Sequence, residues 1–271
     1  MFGTKLNYDS RLFLEGEEVS GINTVDFSYS NSVSTINPLG FSNGVTTVNG
    51  ETQQNFSFTR DLVYKSVVAS GVGGSSSFTG SNNLSGSIHY NGESYGFQSG
   101  YLNNWSINCA VGAPVKETCS FVVYDEMRSG ANASGSATAP SLSIPSQGGI
   151  TATCDNSSTN RVIGFDYAVT CNRKPYYSIG DKAPTEVKFI PPLNITAAVQ
   201  VEVDDAFMEN GRNFLETGKS SRTVNLKVNG RNGGPTLVDA SVPNACLVSE
   251  SLSASSDGSL RLTLNYMGHT S

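Results

Sequence analysis

Two stretches of this chain echo each other. "FSYSNSVSTINPLG", Phe27 to Gly40, and "FDYAVTCNRKPYYSIG", Phe165 to Gly180, both begin aromatic–polar–Tyr and pass through a polar middle with a proline. Each ends in an aliphatic residue followed by Gly. The similarity continues in the same order downstream. "VTTVNGETQQNFSFTRDL" (Val45 to Leu62) and "TEVKFIPPLNITAAVQVEVDD" (Thr185 to Asp205) each carry a short strand, a break and then apolar–polar alternation. Phe56 and Phe58 alternate in the first, Val199, Val201 and Val203 in the second, the mark of strands with one buried face.

Each half then offers a short helix beginning near an aspartate able to cap it. Asp204 or Asp205 precedes Phe207, Met208, Phe214 and Leu215, with Gly211 weakening that helix. Asp61 precedes Leu62, Tyr64, Val67 and Val68, where Val-Val also suits a strand. "GSIHYNG" (Gly86 to Gly92) and "VNLKVNG" (Val224 to Gly230) both close on Asn-Gly, which favours a tight hairpin turn. Each half finishes with a further hairpin, ending near Tyr124 and Tyr266. Five features in one order imply a duplication: a mainly β protein of two tandem β-sandwich domains, each with one short flanking helix.

The expected boundaries are 1–127 for the first repeat and 150–271 for the second. Between them, 128–149 is rich in Gly, Ser, Ala and Pro and reads as a linker. A second Gly/Ser stretch, Ser70 to Asn83, reads as a long loop inside the first repeat. Gly73, Gly74 and Phe78 make it a candidate assembly loop, since function gathers on such loops.

The 271 residues are 15% charged with a net charge of −6. That balance argues against a sequence-independent DNA-binding surface, which needs clustered Lys and Arg. The N-terminus lacks the apolar core of a signal peptide and no apolar run is long enough to span a bilayer, so folding in a cytoplasm is expected. Five cysteines are then small buried thiols in the plain reading. Cys109 and Cys119 are equidistant from residue 114, so a hairpin turning there would oppose them. They are a candidate cross-strand disulfide in any oxidising setting, such as a particle that leaves the cell.

Catalytic groups are sparse. Of two histidines, His89 reads as a strand residue and His269 lies near the C-terminal end, where ordering is not expected. "ETGKSS" (Glu216 to Ser221) has Asn213 where a phosphate-binding loop needs Gly, and its helix-to-strand context is reversed. Glu202, Asp204 and Asp205 could bind a cation or serve a hydrolase, but capping accounts for the aspartates more simply. No catalytic, cofactor or metal site is expected, and the chain does not read as an enzyme. Trp105 with Tyr101 could form a sugar-stacking platform, so a monomeric or trimeric receptor- or glycan-binding module is an alternative.

"YDSRLFLEGEEVSGINTVDFSYS" (Tyr8 to Ser30) is similar to the opening of tail tube and related virion proteins of tailed bacteriophages. "YAVTCNRKPYYSIGDKAPTEVKFIPP" (Tyr167 to Pro192) resembles a run common in the same class. The resemblance implies a structural virion protein, made in the host cytoplasm and placed in the tail, that self-assembles into rings around a lumen. Some members carry two tube domains per chain and form trimers with pseudo-sixfold symmetry. The expected partners are copies of itself and other virion proteins, with DNA only in transit and no membrane. Neck, terminator and baseplate components could share the unit.

Overall fold

A computed structural model of the chain describes residues 11–36, 46–72, 83–90, 93–124, 128–129, 142–154, 161–203, 222–254 and 259–270. The protein is mainly β, with large antiparallel sheets. In the first half the strands are β1 (Arg11–Leu14), β2 (Glu17–Val19), β3 (Ile22–Ile36) and β4 (Thr46–Asp61). The helix α1 (Val67–Val72) follows, then β5 (Leu84–Tyr90), β6 (Glu93–Ala110), β7 (Lys116–Val123) and β8 (Arg128–Ser129). The second half holds β9 (Pro145–Cys154), β10 (Val162–Thr170), β11 (Arg173–Tyr176), β12 (Glu186–Phe189), β13 (Leu193–Glu202), β14 (Arg222–Gly230), β15 (Thr236–Ala254) and β16 (Leu260–Thr270).

The pairing order is the same in both halves. In the first it runs β3-β4-β7-β6-β5-β1, and in the second β10-β13-β16-β15-β14-β9. Irregularities recur at matching places. A register shift after Ile22↔Arg60 has its match after Val162↔Val201. One at Leu84↔Gly100 matches Arg222↔Ala245, and one beyond Leu102↔Phe121 matches that beyond Leu247↔Tyr266. These anchors place Phe27 in register with Tyr167, two residues off the echo of the sequence, and give Tyr266 the place of Phe121 rather than Tyr124.

The long strands β6 and β15 each serve two ladders. β6 pairs with β5 up to Gly100 and with β7 from there on. β15 pairs with β14 up to Ala245 and with β16 from Cys246. A strand that changes sheets makes a corner and lets two apolar faces meet. In the first half Phe56, Phe58 and Phe121 from one ladder are buried in the same apolar cluster as Leu12, Leu14, Leu84 and Phe97 from the other. The Phe56 and Phe97 rings lie 5.2 Å apart between centroids. In the second, Val199, Val201, Leu262 and Leu264 are buried in the same apolar cluster as Leu226, Val228, Val238 and Val242.

Several expectations need correcting. The interval 128–149 is not linker throughout: Arg128–Ser129 pairs with β6, and β9 already begins at Pro145. The helix of the first half starts at Val67, not near Asp61, because Ser66 accepts the Ala69 amide at 2.9 Å and so caps it. The helix expected in the second half falls in 204–221, outside the described residues. Asn229-Gly230 does not close a tight two-residue hairpin but is followed by a longer turn that returns at Thr236, and Asn91-Gly92 lies outside the described residues. His269 is in register with Asn194, since β16 continues to Thr270.

Candidate assembly interface

The two halves are joined edge to edge. β10 adds to the C-terminal part of β6, in register from Gly164↔Ala110 to Thr170↔Asn104. This segment of β6 therefore has β7 on one edge and β10 on the other. The ladder continues past its ends: Val111 donates its amide to the Ile163 carbonyl at 3.0 Å, and Cys171 donates to that of Asn103 at 2.8 Å. Arg173 Nε donates to the Leu102 carbonyl at 2.9 Å while its guanidinium lies 5.2 Å from the Tyr101 ring centroid. Burial lowers the Arg173 pKa, with smaller opposing effects from Cys171, Tyr101 and Tyr124.

Side chains across the joint are matched. Ile107 stands opposite Tyr167, with only 1% and 3% of their surfaces exposed. Tyr167 also meets Trp105 edge-on at 5.5 Å and donates its hydroxyl to the Ser241 carbonyl at 3.0 Å; burial raises its pKa. Asn108 donates to Asp166, and Asn104 Nδ2 to Thr170 Oγ1 at 3.3 Å. Away from this ladder, Ser66 donates its amide to the Leu237 carbonyl and Ser143 donates to that of Val63, so loops of each half touch the other.

Other edges are open. Among the described residues β3 pairs with no strand but β4, and β15 beyond Cys246 pairs only with β16. Phe27, Tyr29, Val248 and Leu252 are exposed there. Neither segment carries Lys, and within Val25–Tyr29 and Ser251–Ala254 there is no Pro. Charged side chains (lysine above all), proline and short length are the devices that normally guard an edge, and Asp26 and Glu250 are the only charged residues in β3 and in β15 beyond Cys246.

The expected cysteine pair does not meet. Gly112, at φ +78°, turns the β6–β7 hairpin earlier than residue 114, so Cys119 opposes Trp105 while Cys109 opposes Phe165 of β10. Both are buried free thiols. Burial first and Asp166 second push the Cys109 thiol up to about 12. Burial likewise raises Cys119, with Glu117 adding to it and Arg60 opposing. The candidate loop residues Gly73, Gly74 and Phe78 lie outside the described residues.

Trp105 is no surface platform: it is buried and donates Nε1 to Glu117 at 2.7 Å. Tyr101 is buried between Tyr124 and Arg173. Glu202 lies 3.8 Å from Arg161 on the surface, and Asp204 and Asp205 fall outside the described residues. His89 packs its ring 4.7 Å from that of Phe13. Among the described residues no three His, Cys, Asp or Glu side chains gather as metal ligands, and no helix is long and apolar enough to cross a membrane.

No protein-family model matches the chain, and no curated protein is significantly similar to it.

Proposed function

We propose that the chain is a ring-forming structural subunit of a virus particle, a tail tube subunit built from two tandem copies of one β-sandwich unit. The observation that carries the assembly reading is the joint just described. Two halves with one strand order are fused by adding an edge of one to an edge of the other, β6 to β10. A unit that recognises itself in this head-to-tail way is heterologous by geometry, and such contacts close into rings when the rotation allows. The virion setting rests on the sequence resemblance. The net charge of −6 suits a channel that DNA must pass without being held.

A monomeric glycan-binding module is less well supported, because its two aromatic candidates, Trp105 and Tyr101, are buried in the core. Neck, terminator and baseplate roles share the same assembly chemistry. The test is electron microscopy of the purified chain together with its mass in solution. Rings or tubes with a central aperture support the reading. A single-chain mass held across a wide concentration range, with no ring on the grid, would overturn it.

A further inference from the structure

Resting on the ring-forming reading, we infer that the edge of β3 between Val25 and Ser28 binds the edge of β15 between Ser251 and Ala254 of a second copy of this chain. The argument comes from the internal joint. The register anchors make β3 the equivalent of β10, and β15 the equivalent of β6. In the internal joint the β6 edge is occupied by β10. Among the described residues the same edge of β15 carries no strand, and neither does the edge of β3 that corresponds to the joined edge of β10. Among the described residues the first half thus presents one half-joint and the second half the other.

Carrying the internal register across gives specific partners. Tyr167 opposite Ile107 becomes Phe27 opposite Leu252, again an aromatic ring against a branched aliphatic side chain. Such cross-strand pairs are among the favourable ones. Tyr167 and Ile107 are covered, whereas Phe27 is 38% and Leu252 46% exposed. Both open side chains stand beside buried ones of their own sheet, Phe27 beside Phe56 and Leu252 beside Leu262. Closing the joint would therefore extend each core rather than cover a separate patch.

The polar positions agree as well. Asp166, which accepts a hydrogen bond from Asn108, becomes Asp26 opposite Ser253, so the acid recurs and a hydroxyl replaces the amide. Ala168 opposite Ser106 becomes Ser28 opposite Ser251, and Phe165 opposite Cys109 becomes Val25 opposite Ala254. No like charges are brought face to face. The bulge beside Val248 does not guard this edge, because its counterpart at the same place in β6 coexists with a formed joint. The joint is a strand addition in which backbone hydrogen bonds supply affinity and alternate side chains supply register.

The experiment uses the full chain with Cys154→Ser and Cys246→Ser as background, which leaves only the buried thiols Cys109, Cys119 and Cys171. Ser28→Cys and Ser251→Cys are introduced singly and together, and a short bis-maleimide is applied after measuring mass in solution. The expected result is an oligomer whose double variant gives a ladder of covalent multimers on a denaturing gel, while each single variant stays at one chain. A third construction pairs Ser28→Cys with Thr151→Cys, on the competing edge strand β9. Oligomers that cross-link through Thr151, or not at all through Ser251, overturn this interface and leave ring formation standing. A chain that stays monomeric at every concentration overturns both.

Discussion

Arg60 and Glu117 face each other across β4 and β7, both almost wholly buried, with Nε and Oε2 2.5 Å apart. At the equivalent place of the second half Val201 faces Leu262. One half thus holds an ion pair where the other holds two apolar side chains. The carboxylate also accepts hydrogen bonds from Trp105 Nε1 and the Ser66 hydroxyl, tying β6 and the start of α1 to the pair. Removing one member of such a pair strands a buried charge.

Glu117→Leu or Arg60→Val alone is expected to destabilise the protein by about 3–5 kcal/mol. The double change Arg60→Val with Glu117→Leu, which copies the second half, recovers most of that. It leaves the Trp105 N–H without its acceptor, a residual cost of about 1–3 kcal/mol. Urea denaturation of the three variants checks the ordering. A double variant no better than the worse single one would show that the site cannot be packed as its counterpart is.

Phe97 occupies the space that two glycines leave open. A Cβ on Gly86 would come within 2.6 Å of Phe97 Cζ and 3.1 Å of Leu14 Cδ2. The matching pair in the second half is Val224 opposite Val242. Gly86→Val is therefore expected to lower stability by about 1–3 kcal/mol through overpacking. Adding Phe97→Val should relieve it, so the two substitutions together cost less than their sum; thermal unfolding of the cycle measures the coupling.

Alkali should weaken the fold through its thiols. Cys109 is raised from an ordinary value of 9.0 to about 12 and Cys171 to about 11, burial being the largest cause in both. Above about pH 9 the unfolded chain releases these protons while the folded chain keeps them, so stability falls as pH rises from there toward the native values. Urea midpoints at about pH 8 and about pH 10.5 should differ, and less so in Cys109→Ala. An unchanged slope in that variant would assign the loss to other groups.

Thiol chemistry offers a further check. Cys119 sits opposite Trp105, four positions along β6 from Cys109, or about 13 Å along the strand at 3.3 Å per residue. A disulfide needs Cα atoms within about 7 Å. Mild oxidation should therefore leave no Cys109–Cys119 bridge, as peptide mass mapping would show. Exposed Cys246 should react with an aromatic disulfide reagent in the native protein, and Cys109, Cys119 and Cys171 only after unfolding.

Alternation at Phe56 and Phe58 and at Val199 and Val201 made the strands and their buried faces legible in the sequence. The alignment of the two halves was legible only to within two residues. A slip of two in a strand keeps every side chain on its face, so the Phe27–Phe165 echo satisfied the pattern while the bulges set Phe27 against Tyr167. The hairpin of Cys109 and Cys119 was misplaced because the left-handed backbone at Gly112 fixes the turn, and nothing in the strand composition competes with it. The β6–β10 joint was not legible. Which edges meet depends on contacts distant in sequence, and the Gly/Ser-rich interval between the halves suggested separation instead.

The joint also has a mechanical character. β6 and β10 lie antiparallel over an unbroken register from Asn104 to Ala110, so a pull along the strands loads every hydrogen bond of the ladder together. A pull across them would peel the pairs one at a time from an end. Force along the strands at this joint would meet a shear seam, stiff and all-or-none, while a sideways wrench would open it like a zip.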